Sequence, residues 1–354
     1  MKNHTAFKLL LLLALLLSAC TGKATPAATQ SPTATSTATT APKAVTYDMV
    51  TVKMNSSALT SFAPIFIAEA EGYFAEYGIH VEYVKLNKVN NAVPLVASGE
   101  LDIYAGSVNS GLLNVLAQDN SIKVVADRGH IAPGDPCTYM AIMVRKDLYD
   151  SGKITKPSDL AGQTIAASSA STTGYFLDLY LAQAGLGLKD VTLNDIPTAG
   201  YVDAFTNKSL AVIVAPELHK TRLLAAGNAV VLAKAEDVLG STQLSVLVFG
   251  KKLLVDHPDV GARFMAAYLK GVKQYNEGKT DRNLQIISAA TGESVADLQS
   301  SCWLPIRLDG SIDFSGINQY QQWAIAQGQL DGPATEEQFW DPSVLVNAQK
   351  LLNP

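Results

Sequence analysis

Hydroxyl side chains fill five of the six positions in SSASTT at residues 168–173, between a strand-like segment and a run of aromatic and aliphatic residues. A helix that begins here would present unpaired backbone N–H groups and a partial positive charge. Serine and threonine at a helix start cap the helix, and they can also donate to an electronegative ligand atom. Because one cap does not require five hydroxyls, the segment indicates a polar ligand site, with simple capping as the alternative.

Polar turns also follow other predicted strands. They lie at residues 56–64, 104–110, 127–130 and 215–217, and most of them open a predicted helix. Open α/β sheets bind ligands at the carboxyl ends of their strands. We therefore place the candidate ligand site at these turns and at the hydroxyl segment.

Several side chains beside these turns have two interpretations each. Phe62, Tyr104 and Tyr175 either stack on a flat ligand or pack in the core. Glu217, which follows an apolar strand, either accepts a hydrogen bond from the ligand or complements the start of a helix. Arg128 either pairs with the preceding aspartate or neutralises an anion in the cleft. The sequence leaves these alternatives open.

The sequence shows no recognisable catalytic set and no metal site. None of the five histidines has a partner at metal-ligand spacing. GKT at residues 278–280 resembles the end of a P-loop, but Lys273 stands where that motif requires glycine. The patterns GxSxG and GxGxxG are both missing. We therefore expect a binding protein without cofactor or metal, and not an enzyme.

The N terminus has the layout of a secretory signal. Lys2 and Lys8 precede an apolar run at residues 9–17, and small residues lead into Cys20. This ending resembles the lipobox of bacterial lipoproteins, which implies that residues 1–19 are removed and that Cys20 is lipidated. The alternative is an ordinary signal peptide. Residues 20–45 are rich in Thr, Ala and Pro and are expected to form a disordered tether, so the sequence predicts an extracytoplasmic protein that a lipid anchors to the cell membrane.

Composition indicates that the rest of the chain is globular. The sequence has 48% hydrophobic and 17% charged residues and enough length for two lobes. Removal of residues 1–19 takes two lysines and no acidic residue, so the formal charge of −5 becomes −7. This charge argues against nucleic acid or an anionic lipid surface as a partner. Cys137 and Cys302 either form a disulfide or remain two separate buried thiols.

Strand and helix patterns alternate along the globule and repeat one βαβαβα plan twice. Two copies of the plan imply two similar α/β lobes with the ligand in the cleft between them. The long strand-like runs Thr138–Tyr149 and Leu244–Lys252 are expected to cross between the lobes as a two-strand hinge. The predicted limits are residues 46–140 plus 246–354 for a discontinuous lobe one and residues 141–245 for lobe two.

Three segments resemble a known family. They are APIFIAEAEGYFAEYGIHVEYV at residues 63–84, LVASGELDIYAGSVNSGL at residues 95–112 and AFTNKSLAVIVAPE at residues 204–217. They resemble the periplasmic binding proteins of ABC importers for nitrate, sulfonates, taurine and thiamine pyrimidine precursors. The likeness covers nearly all of residues 47–275, and EGYFAEYGI at 71–79 is its most specific part.

The resemblance implies a type II periplasmic-binding-protein fold that closes on one small molecule and delivers it to a permease with its ATPase. It implies ligand contacts from Ser61 to Pro64, from Gly106 to Asn109, from Ser169 to Thr173 and at Glu217. We expect a monomer. With the residues beside the turns, the candidate ligand-binding set is Ser61, Phe62, Pro64, Tyr104, Gly106, Ser107, Asn109, Arg128, Ser169, Ser171, Thr172, Thr173, Tyr175 and Glu217.

The ligand class has a favoured interpretation and two alternatives. A carboxylate at Glu217 and several aromatic side chains favour a heterocyclic vitamin or precursor, such as a pyrimidine or a flavin. A binder of an alkyl or aryl sulfonate, taurine or nitrate is the first alternative, although the turns at 168–175 and 215–217 hold no basic residue. A ligand-sensing module for signalling is the second. One branch of the relatives makes the thiamine pyrimidine with a Cys-rich motif that this chain lacks.

Overall fold

The structure is a computed structural model, and it describes residues 46–86, 92–119, 121–135 and 138–353. Its strands are β1 (Val50–Asn55), β2 (Ile79–Val84), β3 (Ile103–Ser107), β4 (Lys123–Ile131), β5 (Met140–Arg145), β6 (Thr164–Ala166), β7 (Thr192–Leu193), β8 (Val212–Pro216), β9 (Ala229–Lys234) and β10 (Thr242–Phe249). Its α-helices are α1 (Ala63–Ala70), α2 (Tyr73–Glu76), α3 (Ala92–Ala97), α4 (Ser110–Gln118), α5 (Lys146–Asp150), α6 (Thr172–Ala182), α7 (Tyr201–Thr206), α8 (His219–Ala225), α9 (Ala235–Val238), α10 (Pro258–Tyr275), α11 (Asp281–Thr291), α12 (Val295–Ser300), α13 (Phe314–Ala326), α14 (Glu336–Phe339) and α15 (Ser343–Leu352).

The strands form two mixed sheets with the same plan. The first sheet has the order β2-β1-β3-β10-β4, with β1 parallel to β2 and β3 and with β10 antiparallel to β3 and β4. The second sheet has the order β7-β6-β8-β5-β9, with β6 parallel to β7 and β8 and with β5 antiparallel to β8 and β9. The repeated plan confirms the predicted α/β class and the two similar lobes.

The chain passes between the sheets twice, before β5 and before β10. Strand β5 lies inside the first run that we expected to cross, and β10 begins two residues before the second run, but each strand belongs wholly to one sheet. A near-continuous apolar run shows that a strand is buried on both faces and does not show which sheet contains it. The predicted lobe limits stay a prediction.

Close helix packing supports the first sheet. Helix α10 packs on α1 and α15. A Cβ atom at Gly271 would lie 2.1 Å from the carbonyl oxygen of Pro64, so only glycine permits this approach of α10 to α1. Pro64 lies in the first turn of α1, where its missing N–H costs nothing. None of the described helices combines the length and apolar character needed to cross a membrane.

Helix α13 follows the first sheet in the chain but also touches the second lobe. It packs on β10 and on α6. Trp323 of α13 donates its indole N–H to Asp178 of α6 at 2.7 Å. One apolar cluster contains Val248 of β10 together with Ile142 of β5. The two sheets are therefore joined by a shared core as well as by the chain.

Candidate functional site

The two polar helix starts predicted from the sequence meet in the structure. Asn109 caps α4 by accepting from Leu112 N at 2.9 Å, and Ser171 caps α6 by accepting from Thr173 N at 3.3 Å. Asn109 and Ser171 form an antiparallel β-bridge. Ser110 N also donates to the carbonyl of Ala170 at 3.2 Å. The structure thus brings one turn from each sheet together.

The hydroxyl segment is used mainly inside the protein. The hydroxyls of Ser171 and Thr173 lie 2.9 Å apart, and Thr173 Oγ1 accepts from Ser168 N at 3.2 Å. Tyr320 donates to the carbonyl of Ala170, and Gln329 donates to the carbonyl of Ser169, each at 2.9 Å. The capping of α6 and the contacts with Tyr320 and Gln329 account for these hydroxyl and carbonyl groups. Thr172, in the first turn of α6, is buried.

Tyr175 and Tyr104 are both buried, but in different ways. Tyr175 packs edge-on against Tyr320 with ring centroids 5.5 Å apart, so the core-packing alternative describes it. Tyr104 donates to the carbonyl of Ser107 at 3.0 Å, and its ring lies over Gly106. A Cβ atom at Gly106 would lie 2.0 Å from that ring. Burial raises the pKa of Tyr104 to about 12.

Arg128 lies at the centre of a buried group of polar and aromatic side chains. It lies on β4 and is only 1% exposed. One of its terminal nitrogens, Nη1, donates to Ser61 Oγ at 2.9 Å, and the guanidinium lies 4.3 Å above the ring of Phe62. Its Nε has no hydrogen-bond partner in the part of the chain that the structure describes, and neither does the buried Thr60 Oγ1. The predicted residues Ser61, Phe62 and Arg128 are therefore in direct contact.

The aspartate beside Arg128 does not pair with it. Neighbouring residues of a strand point to opposite faces of the sheet. Asp127 is also buried, and its oxygens accept from Gly129 N, His130 Nδ1, Gln243 Nε2 and Arg307 N at 2.6–2.9 Å. Among the described residues, no carboxylate lies within ion-pair distance of Arg128. The expectation that the two neighbours pair is wrong.

The surroundings of Arg128 are aromatic and poor in solvent. Burial lowers the pKa of Arg128, while Tyr268, Tyr104, Tyr139 and, more weakly, Asp127 act in the opposite direction. An arginine side chain nevertheless stays protonated in proteins. The site therefore contains a buried positive charge that the described side chains do not compensate.

Tyr139 belongs to this group although the sequence analysis did not select it. It is 9% exposed and directly precedes β5. Burial raises its pKa to about 12, with a smaller downward effect from the nearby Arg128. In the sequence, Tyr139 is only the first aromatic residue of an apolar strand. No local pattern there indicates that it lies near Arg128.

Glu217 is saturated by protein partners. It is 1% exposed, lies 2.8 Å from Lys220 Nζ and accepts from Cys302 N at 3.0 Å through the same oxygen, Oε1. Its other oxygen, Oε2, accepts from the hydroxyl of Thr221 at 2.7 Å and from the backbone N–H of Thr221 at 3.3 Å. These contacts agree with the alternative that Glu217 complements the local helix start. They do not agree with the alternative that Glu217 accepts a hydrogen bond from a ligand.

Two predictions fall partly or wholly outside the described residues. Cys302 takes part in a disulfide, but its predicted partner Cys137 lies outside the residues that the structure describes. Cys20, the predicted lipidation site, lies outside them as well. Within the described ranges, no three His, Cys, Asp or Glu side chains come close enough together to hold a metal ion.

Comparisons with known sequences identify a family for this chain and relatives that are named as binding proteins. The model of a family described as NMT1/THI5 like matches residues 59–277. The chain is 27% identical to the riboflavin-binding protein RibY of Chloroflexus aurantiacus over 267 residues, which cover 74% of this chain and 71% of that protein. It is 26% identical to the taurine-binding periplasmic protein of Escherichia coli over 237 residues, which cover 65% and 69%.

Solved structures confirm the predicted type II periplasmic-binding-protein fold. The alkanesulfonate-binding protein SsuA of Xanthomonas axonopodis pv. citri, bound to MOPS, has a TM-score of 0.64 at 15% identity, covering 83% of this chain and 99% of its own. The desulfurization enzyme DSZB has a TM-score of 0.63 at 14% identity, covering 87% and 100%. Identities this low establish the fold alone, and both a binding protein and an enzyme have that fold.

Proposed function

Because the chain belongs to the NMT1/THI5-like family, we propose that it is the substrate-binding protein of an ABC importer and that it captures a small organic anion. The relatives identified by sequence are binding proteins by name, which supports the first part. The uncompensated guanidinium of Arg128 is the observation that carries the second part.

The energy of a buried charge explains why the ligand should be anionic. Burying one ion costs several kcal/mol unless a counter-charge and hydrogen bonds offset the loss of hydration. Around Arg128, one hydrogen bond to Ser61 and one ring contact with Phe62 are in place. A sulfonate, carboxylate or phosphate group supplies the missing charge and several acceptor lone pairs, and guanidinium recognises such groups well.

The position of Arg128 suits a ligand that is enclosed by two lobes. Ser61 and Phe62 follow β1, so they lie beyond the carboxyl end of a strand that is parallel to both of its neighbours, where open α/β sheets bind ligands. Tyr139, which directly precedes β5 of the second sheet, is near enough to Arg128 to interact with it electrostatically. A ligand that touches both sides shifts the population toward the closed arrangement by its difference in affinity for the two states.

The heterocyclic vitamin that the sequence favours has weaker support. That preference depended on Glu217 as an acceptor, and Lys220, Thr221 and Cys302 already use its oxygens. A flavin remains our second candidate, because Phe62, Tyr104 and Tyr139 surround Arg128 and one relative is named a riboflavin-binding protein. An alkyl or aryl sulfonate or taurine meets the requirement for an anion directly.

The same proposal has four further parts. They are delivery to a permease and its ATPase, action as a monomer, anchoring through a lipid on Cys20 and a location outside the cytoplasm. One relative by sequence is named a periplasmic protein, which supports the location. We propose transport and not catalysis, because the relatives by sequence are binding proteins. A role as a signalling sensor is the alternative. Genes for a permease and an ATPase beside this one would favour transport.

Thermal melting of the purified protein against matched ligand pairs tests the anion. Each pair differs in charge and little else: benzenesulfonate against benzenesulfonamide, and flavin mononucleotide against riboflavin. Taurine, nitrate and sulfate complete the panel. Tight binding raises the melting midpoint by mass action. We expect a charged member to raise the midpoint and its neutral partner to have a much smaller effect.

The variant Arg128→Met provides the control. Loss of one partner from a buried charge pair costs about 2–5 kcal/mol, or roughly 30-fold to several thousand-fold in affinity. We expect the variant to lose the shift with the anion. Equal shifts for riboflavin and flavin mononucleotide, preserved in Arg128→Met, would instead show that the ligand is neutral and does not use Arg128.

A further inference from the structure

Helix α8, which belongs to the second sheet, meets helix α12, which belongs to the first. Helix α8 packs on β5, β8 and β9, whereas α12 packs on α11, and α11 in turn packs on α1. The contact between α8 and α12 therefore joins the two sides of the protein, each formed by one sheet with its helices. It involves different helices from the contact between Asn109 and Ser171, which lies at the starts of α4 and α6.

One end of the contact between α8 and α12 is buried. Glu217, two residues before α8, accepts from Cys302 N at 3.0 Å and pairs with Lys220 at 2.8 Å. Lys220 also donates to the carbonyl of Thr138, in the segment before β5 where the chain first passes between the sheets. Cys302 takes part in a disulfide as well. Because the chain itself joins the two sides here, we expect this end to stay together when the sides move.

The other end of the contact is a more exposed group of charges. Arg222 of α8 pairs with Glu293, two residues before α12, and lies 3.5 Å from Asp297 in the first turn of α12. The Arg222 side chain is 37% exposed, and those of Glu293 and Asp297 are 15% and 41% exposed. Arg222 comes five residues after Glu217, which is roughly 7.5 Å along a helix. This end is therefore farther from the passage of the chain, and salt can screen it.

We propose that the charges of Arg222, Glu293 and Asp297 form a salt-sensitive latch, which holds the two sheets in the arrangement seen here. The buried contact between Glu217 and Cys302 is its pivot. Opening about that pivot separates the charges of the latch and also the contact between the starts of α4 and α6. A partly exposed ion pair changes such an equilibrium by about two- to fivefold. Only one consequence rests on the proposed function: ligand affinity then changes with salt by up to the same factor.

Hydrogen exchange of two backbone N–H groups tests the latch without any ligand. Ser110 N donates to the carbonyl of Ala170 across the sheets at 3.2 Å, so its exchange reports opening at the contact between α4 and α6. Cys302 N donates across the sheets at the pivot. The variant Arg222→Met removes the charge and keeps a long side chain. In about 0.01 M NaCl we expect Ser110 N to exchange about two- to fivefold faster in this variant, and Cys302 N to keep the parent rate.

Salt separates the contribution of charge from that of packing. The Debye length falls from about 30 Å in about 0.01 M salt to about 3 Å in about 1 M salt. The ratio of the Ser110 N exchange rates, variant over parent, should therefore fall toward one as NaCl is raised. This ratio cancels effects of salt that act on both proteins alike. A ratio that stays the same in about 1 M NaCl overturns the inference, because packing of the Arg222 side chain and not its charge then holds the sides together.

Two further variants control for general damage. Arg282 of α11 pairs with Glu71 at the end of α1 at 2.7 Å, so Arg282→Met removes an exposed ion pair that lies within the first side. It should leave the exchange of Ser110 N unchanged. Arg222→Glu should accelerate that exchange more than Arg222→Met does, because like charges repel. Addition of Glu293→Arg to Arg222→Glu should restore the parent rate.

The outcomes distinguish the latch from the proposed function. Equal acceleration in Arg282→Met, no acceleration in Arg222→Met, or no rescue by Glu293→Arg overturns the latch and leaves the proposed function in place. Equal acceleration of Ser110 N and Cys302 N also overturns it, because the sides then do not open about that pivot. If benzenesulfonate, taurine, flavin mononucleotide, nitrate and sulfate all fail to bind, the proposed function fails, while the exchange rates still decide the latch.

Discussion

The substitution Arg128→Met tests the uncompensated charge without any ligand. Methionine fills much of the space of arginine and carries no charge. Burying the guanidinium costs several kcal/mol, while its hydrogen bond to Ser61 and its contact with the Phe62 ring return about 2 kcal/mol each. The apolar replacement also gains from burial. We therefore expect the unliganded variant to be more stable than the parent protein by about 1–3 kcal/mol.

The assay is urea denaturation in a buffer without sulfate or phosphate, because either ion would supply the missing charge. A matched control is available in Arg263, which is also buried but donates to the carbonyl of Tyr77 at 2.9 Å and pairs with Asp259 at 3.2 Å. Arg263→Met should destabilise the protein by about 1–3 kcal/mol, since it removes a compensated group. If Arg128→Met destabilises the protein to the same extent, the protein itself compensates Arg128 and the argument for an anion fails.

Two other substitutions test the groups that the structure assigns to the protein and not to the ligand. Ser171→Ala removes the cap of α6 and should lower the free energy of unfolding by about 1 kcal/mol, with unchanged affinity for the anion in isothermal titration. Glu217→Gln breaks the buried pair with Lys220 and should cost about 3 kcal/mol in urea denaturation, again with nearly unchanged affinity. A large loss of affinity with intact stability in either variant would return that residue to the binding site.

Local patterns predicted most of the secondary structure. Apolar and polar residues alternate in IHVEYV, which is typical of a half-buried strand, and the structure assigns β2 to these residues, Ile79–Val84. A glycine just after a helical pattern indicates the end of the helix, and Gly72 and Gly185, which follow α1 and α6, have φ angles of +75° and +71°. Local patterns did not indicate which sheet contains β5 and which contains β10. Pairing between strands distant in sequence decides their sheet, and no local pattern records that pairing.

The sequence indicated one polar helix start in each lobe, but not what each side chain does there. Asn109 and Ser171, which cap these two helix starts, lie together in the structure. The partners of Glu217 include Cys302 N, which is 85 positions away, so its saturation was not visible in the sequence. Asp127 and Arg128 were expected in a turn after a strand, but both lie within β4, where neighbouring side chains point to opposite faces of the sheet.

The contacts between the sheets suggest how binding and closure are related. Asn109 with Ser171, Tyr320 with Ala170 and Trp323 with Asp178 all join the two sides without a ligand. These contacts by themselves favour the arrangement of the two sheets seen here, so a ligand that requires this arrangement does not need to supply all of that energy. If the ligand is the anion that we propose, its main contribution is to remove the penalty of the buried charge on Arg128. A ligand without that charge leaves the penalty in place, and it therefore has little differential affinity with which to shift the population.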